Sequence, residues 1–457
     1  MKKYFIVSIL FVLGLIIFLS LSQTTMADEK VSVQSSLTEE EAVKNTIRYN
    51  YDLRFAKISV ELAKAQLVQA GLWPNPEGEF SIRNDKYYAN EGEGGYEFGI
   101  NQPIPISGRV FFQKKVAVLG IKRAELQLKD VERQVIAEVR KTFYQVTTFQ
   151  EKEKILSFLV KTNQDLLESV KARLSKAEVS TVDISLARGE LLMVSQEFAE
   201  VKARLYESRA NLNRLMGQSL NNPFVITPEP LIFPSIDLET ATQKSLENRP
   251  DLKAKELEEM MGSAALTLAK AMQIPDITIG GFYQSDKTII DVNDQLIGSK
   301  SRMLGFKVSM PLPFFNHNQG EIAKTVAEKK GTDIQYEVLK IQVTKEVAQA
   351  YIRLEASKEI INSYGNGVRE DMEKSLKLMQ DAYLQGQVNV FNVVQTQSKF
   401  NSIEEAYLDA SQNARESIID LESATGVSLK NEINEGAKVE TLPSTIKTGK
   451  SKEGKNL

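Results

Sequence analysis

The stretch from Arg109 to Lys176 contains no proline and a single glycine, Gly120. Its apolar residues recur at three- and four-residue steps: Ala124, Leu128, Val131, Val135, Val139, Phe143, Val146 and Phe149. That spacing lays them along one face of an α-helix. At 1.5 Å per residue an unbroken helix of this length reaches about 100 Å, several times the span of a small domain. One compact core cannot cover such a helix, so the chain calls for an elongated bundle or coiled coil.

Composition removes several classes of function. The 457 residues carry 57 basic and 60 acidic side chains, a net charge of −3, so there is no polycationic signal for nucleic acid. Cysteine is absent, which excludes disulfides, thiolate catalysis and Cys-ligated metal sites. The lone histidine, His317, leaves no credible Ser/His/Asp set, and a zinc site would have to use carboxylates almost alone. No phosphate-binding or dinucleotide fingerprint is present. The expectation is a protein that is not an enzyme and holds no cofactor or metal.

Lys2 and Lys3 precede an apolar run from Tyr4 to Leu21 and a small-residue site, Thr25-Met26-Ala27. Residues 1–27 therefore read as a signal peptide for export, with an uncleaved anchor as the alternative. Beyond residue 27 no apolar run approaches the ~20 residues a membrane helix needs. If the remaining chain enters a membrane, it must do so as a β-barrel.

Along the chain, a helix is expected from Thr38, with Glu41 completing a capping box, through Leu67. It stops near Trp73-Pro74-Asn75-Pro76. Glu79 to Arg83 and Tyr96 to Asn101 alternate as two strands of a hairpin, joined by a polar loop from Asn84 to Gly95. Pro103-x-Pro105 then introduces the long helix. The chain reverses between Lys176 and Thr181, and a return helix from about Val182 closes at Gly217. The programme then repeats. Asn50-Tyr51-Asp52-Leu53 is echoed by Asn248-Arg249-Pro250-Asp251-Leu252, and strand-like segments recur at Asp276 to Tyr283 and Arg302 to Met310, across a polar loop from Ser285 to Lys300. Pro103-x-Pro105 returns as Pro311-x-Pro313 and Glu138-Val139 as Glu346-Val347, both displaced by 208 positions, while Gly217 returns as Gly426 at 209. The division is thus a first repeat at 28–217, a Pro-rich connector at 218–238, a second repeat at 239–429 and a polar, disordered tail at 430–457. The second long helix, from near Gly320, meets Gly365-Asn366-Gly367; two glycines cost roughly 2 kcal/mol in a helix interior, so a kink is expected there.

Four strands per chain leave open edges and cannot close a barrel. Three copies would supply twelve, an even number that suits an outer-membrane barrel, with the helices forming a coaxial α-barrel below it. The fold class is mainly α with a small β part: a long-helix α-barrel plus a twelve-stranded transmembrane β-barrel in a homotrimer.

The order of helix, hairpin, Pro-x-Pro, long helix, reversal, helix and glycine, twice over, resembles the TolC-type outer-membrane efflux duct family from about Leu37 to Leu429. The segment Met310-Pro311-Leu312-Pro313-Phe314-Phe315-Asn316-His317-Asn318-Gln319-Gly320 is similar to a phrase frequent in the branch that serves heavy-metal and cation exporters of the resistance-nodulation-division type. The resemblance implies a homotrimeric channel in outer-membrane lipid with a periplasmic helical extension, docked on a periplasmic membrane-fusion adaptor and an inner-membrane pump. It places the adaptor contact at the two helix reversals, around Arg173, Ala177, Tyr383 and Gly386. It also implies a pore entrance six and nine residues beyond the tip glycine, where acidic residues are common in such ducts. Here those positions are Asn392 and Gln395, which weakens a cation-binding ring; six residues past Ala177, Asp183 would supply three carboxylates in a trimer, or simply a favourable helix N-terminus. His317 is a tempting metal ligand beside a helix-capping Asn318, but one histidine makes a poor site. Two other functions stay open: a duct for type I protein secretion, and a membrane-anchored coiled-coil scaffold with almost no β-structure.

Overall fold

A computed structural model describes residues 36–84, 92–227, 229–293, 295–364 and 367–429. The expected signal peptide, most of the first hairpin loop, Gly365-Asn366 and the C-terminal tail lie outside them.

Capping decides where the helices begin. Helix α1 (Glu39–Tyr49) starts on Thr38, whose hydroxyl accepts from the Glu41 amide at 3.2 Å while the Glu41 carboxylate accepts from the Thr38 amide at 3.1 Å. The single helix expected through Leu67 is instead two. At Asn50 the backbone is extended, and its side-chain oxygen accepts from the amides of Asp52 and Leu53 at 2.8 and 3.1 Å, so α2 (Tyr51–Ala70) starts afresh. Apolar periodicity passes through such a one-residue break unchanged, so only the cap reveals it. The second half repeats the break at Arg249, between α5 (Leu238–Asn248) and α6 (Pro250–Ala271), with Pro250 in the first turn where its missing N–H costs nothing.

The strands β2 (Glu77–Asn84), β3 (Gly94–Ile104), β5 (Ile277–Val292) and β6 (Gln295–Ser309) form one antiparallel sheet in the order β2-β3-β5-β6. Two-residue strands, β1 (Ser36–Leu37) and β4 (Val225–Ile226), pair separately and in parallel. The expected polar loop from Ser285 to Lys300 is overturned: pairing runs without interruption from Thr278↔Ser309 to Val292↔Gln295. Ladder hydrogen bonds are made by the backbone, so polar side chains such as Lys287 and Ser299 do not end a strand.

From the sheet, α3 (Arg109–Ser175) runs 67 residues, about 100 Å, to the far end of the molecule. Helix α4 (Thr181–Leu215) returns along it. In the second half the descent is divided into α7 (Gln319–Tyr364) and α8 (Val368–Leu384), with Gly367 at φ 76°, before α9 (Val390–Thr425) returns. Beside the sheet, α2 packs on α3, α3 on α6 and α6 on α7, the same lateral order as the strands they join. Away from it, α4 packs on α3, and α9 on α3, α7 and α8. Apolar side chains form separate clusters along this length rather than one core. One joins Val139, Phe143 and Val146 to Leu205 and Leu212; another, at the tip, joins Val170 and Ala187 to Tyr383 and Val393.

At mid-height the halves are tied by buried charge. Arg140 of α3 donates to Glu39 of α1 and to Glu422 of α9, and Tyr144 donates to the same Glu39. In the second half Arg249 donates to Glu346 and Asp251 at 2.5 Å each. Gly217 at φ 66° lies so close to the chain at α1 that a Cβ would meet the Tyr49 carbonyl oxygen at 2.4 Å. That contact and the left-handed turn both require glycine.

Candidate functional site at the strand faces and the helical tip

Register sorts the sheet into two unlike faces. Phe80↔Phe98, Phe98↔Tyr283 and Tyr283↔Leu304 form one continuous row across all four strands. The next row is Gly78, Ile100, Gly281 and Phe306, and the one after it continues through Gln102, Ile279 and Val308. Leu304, Phe306 and Val308 are 77%, 86% and 71% exposed, so this apolar face is uncovered by its own chain. The opposite face carries Glu77, Asn101 and Lys307 in one row, Ser81, Glu97 and Gln284 in another, and the ion pair Arg83–Asp286 at 2.9 Å in a third. One face is mainly apolar, with Arg302 at its end, and the other mainly polar, with Phe282 and Met303 as apolar exceptions. Such alternation is the pattern of a transmembrane β-barrel wall. At 11 residues, β3 has the length such a wall requires. Sequence reading found the strands but gave no role to the charged face that Glu77, Glu97 and Lys307 share; the alternation at Glu79 to Arg83 and Tyr96 to Asn101 carried that signal.

At the far end the two reversals are built alike. After α3, the Glu178 amide donates to Arg173 O at 3.0 Å and the Ala177 amide to Leu174 O at 2.9 Å. After α8, the Gln387 amide donates to Ala382 O and the Gly386 amide to Tyr383 O, both at 2.9 Å. Each is a Schellman cap, whose left-handed residue is Ala177 (φ 59°) in one half and Gly386 (φ 74°) in the other. The four tip residues singled out from sequence come together here. Arg173 donates to the Tyr383 carbonyl at 2.9 Å and to Glu178 at 3.2 Å, and its guanidinium lies 5.1 Å from the centre of the Tyr383 ring. Tyr383 is buried; burial raises its pKa above the ordinary tyrosine value, and Arg173 opposes that rise. Arg173 thereby ties the reversal of one half to that of the other.

The pore-entrance candidates sit on the next turns. Asp183 is the third residue of α4, and its carboxylate accepts from the Ser180 amide at 2.8 Å in a reciprocal capping box. Asn392 holds the same place in α9, after the cap residue Asn389, and Gln395 is exposed one turn on. Asp183 therefore has a structural use independent of any ring of carboxylates. His317 is exposed, and among the described residues no group of three His, Cys, Asp or Glu side chains is arranged to hold a metal. Asn318, expected as a side-chain cap, instead adopts φ 64° before α7 and donates from its side-chain Nδ2 to Ala269 O at 2.8 Å.

A paired-strand wall joined to helices of this length, twice per chain, is a specific architecture, and the profile of the Outer membrane efflux protein family matches residues 42–218 and 241–427. The chain belongs to the outer membrane efflux protein family. Among its relatives is the cobalt-zinc-cadmium resistance protein CzcC of Cupriavidus metallidurans, 23% identical over 79% of this chain and 83% of that protein. The multidrug resistance outer membrane protein MdtP of Escherichia coli is 24% identical over 65% of this chain and 60% of its own length. The solved structure of CusC superposes with a TM-score of 0.70 at 18% identity, covering 86% of this chain and 93% of CusC. The CmeC outer membrane channel of Campylobacter jejuni matches equally, at 0.70 and 17%, over 85% of each chain. This efflux protein is therefore located in the outer membrane with a periplasmic helical extension, and it is a passive channel component rather than an enzyme. Its four-stranded sheet removes the scaffold reading, which needs almost no β-structure.

Proposed function

We propose that this efflux protein is the outer-membrane duct of a tripartite export system. Three copies close a twelve-stranded barrel around the charged strand face, and their helices extend it as a tunnel into the periplasm. A periplasmic adaptor engages the tip at Arg173, Ala177, Tyr383 and Gly386, and an inner-membrane pump of the resistance-nodulation-division type supplies the energy. Asp183, Asn392 and Gln395 line the entrance. The observation that carries this reading is the division of the sheet into an apolar face, Phe80 to Leu304, and a charged face, Glu77 to Lys307, continuous with a 67-residue helix. Such a wall has one use: to hold water on one side and lipid on the other.

Heavy-metal cations are the favoured cargo. The support is the resemblance of Met310 to Gly320 to the cation branch and the coverage of CzcC, a cobalt-zinc-cadmium resistance protein. With carboxamides at Asn392 and Gln395, Asp183 is the one charged group of these three, and it is engaged in its capping box with Ser180, so cargo choice rests mainly with the pump. Deleting the gene should lower tolerance to divalent metal ions and leave the profile of secreted proteins unchanged. Unaltered metal tolerance with loss of secreted proteins would favour type I protein secretion instead.

A further inference from the structure

Helices α2 and α7 stand at the two lateral edges of the four-helix layer, and each carries an apolar stripe that its own chain leaves uncovered. On α2 the stripe is Tyr51, Phe55, Ile58 and Leu62; on α7 it is Ala327, Gly331, Ile334 and Val338. Phe55 is 73% and Ile334 65% exposed, whereas Leu53 and Val60 on the opposite side of α2 are buried. Both stripes have alternating three- and four-residue steps, the spacing of a coiled-coil seam. Gly331 has no heavy atom within 4 Å of where a Cβ would stand, so it is an open notch on an exposed helix.

We propose that α2 of one copy packs antiparallel against α7 of the next in a single register. The paired layers are Tyr51–Val338, Phe55–Ile334, Ile58–Gly331 and Leu62–Ala327. The occupant of each edge is thus a second copy of this chain, and the proposal rests on the trimeric reading above while naming its seam. Three observations meet in this register. Direction comes first: α2 runs toward the sheet and α7 away from it, so neighbours must be antiparallel. Depth comes second. Leu62 lies eight residues before the last residue of α2, Ala70, and Ala327 lies eight after the first of α7, Gln319, so the layer is level with respect to the sheet.

Charge is the third. In an antiparallel coiled coil of this register the flanking positions place Arg54 opposite Glu337 and Glu61 opposite Lys330. Both pairs are opposite in sign and reversed in order. A slip of one heptad either way sets Arg54 against Lys330 or Glu61 against Glu337. Among the described residues none of these four side chains makes an ion pair within the chain; Arg54 only lies 5.5 Å from the Tyr51 ring centre. Large residues also face small ones: Ile58 enters the Gly331 notch, and Leu62 meets Ala327. The contact joins unlike surfaces, so it propagates around a ring, which is what closure by identical copies requires.

The chain has no cysteine, so disulfide trapping has no background. The Phe55→Cys/Ile334→Cys double variant, purified in detergent and mildly oxidised, should give covalent dimers and trimers on a non-reducing gel. The Phe55→Cys/Ile341→Cys variant, shifted by one heptad, should give none. As a second measurement, Arg54→Glu should reduce the fraction of trimer surviving dilution in detergent, and Arg54→Glu combined with Glu337→Arg should restore it. A conducting trimer that cross-links only in the shifted variant, or whose charge reversal is not rescued, overturns the seam and leaves the duct standing. A monomer that neither cross-links nor conducts overturns both.

Discussion

At Gly386 the chain turns with φ 74°, and an added Cβ would stand 3.3 Å from the Arg173 guanidinium. Gly386→Ala should therefore cost about 1–2 kcal/mol from the left-handed backbone alone and press on the contact between the reversals. Ala177, in the same conformation with a Cβ, should gain on replacement by glycine, so thermal melts of the two variants should move in opposite directions. Glu190 on α4 gives a pH test. Burial, then the neighbouring Glu197, raises its pKa above the ordinary carboxylate value, so the folded state holds this proton more tightly than the unfolded chain. Its ionisation weakens the fold as pH rises through and above the unfolded value. Glu190→Gln should raise the melting temperature at pH 7.5 and change it little at pH 4, where the wild-type group is already protonated. A gain of equal size at both pH values would remove the electrostatic cause.

Among the elements, the strands offer the sharpest contrast. Phe306 and Lys307 are neighbours in β6 and lie on opposite faces of the sheet. Phe306→Arg puts a cation on the apolar face, which costs about 2–4 kcal/mol at the midplane of a bilayer, and should cut recovery from outer-membrane fractions. Lys307→Gln, on the charged face, should insert normally and alter only the conductance. The helix break at Asn50 predicts that Asn50→Ala loses about 1–2 kcal/mol, since the side chain also donates to Leu215 O at 2.9 Å. The elements also mark how far sequence reasoning reaches. The long helix was legible because 67 residues of one period admit no other structure. The faces of β2 and β3 were legible because alternation is a local property. The break at Asn50 was not, because the apolar period runs across it. The far part of the β5–β6 hairpin was not, because Ser285 to Lys300 reads as polar loop when only side chains are considered. At the tip, Asp183 was legible as a favourable helix N-terminal residue, while its capping box with Ser180 came only from the structure. The mid-height tie of Arg140 to Glu39 and Glu422 was illegible, because its partners lie 101 and 282 residues away in sequence.

For the whole molecule, each half of the chain carries a strand pair into one sheet and helices into one layer, and sheet and layer stop at matching edges. The β2 and α2 side is open, as is the β6 and α7 side. An exposed sheet edge invites another strand, and the apolar stripes beside it invite another helix. The described residues of a single copy enclose neither lumen nor tunnel, so the proposed conduction requires an assembly. A water-filled duct built from several copies passes ions across a membrane, and single-channel recording reads that property. Purified protein added to a planar lipid bilayer should produce discrete conductance steps, with the same preparation sedimenting as a detergent-bound trimer. A protein that stays monomeric and soluble without detergent, and passes no current, would contradict it.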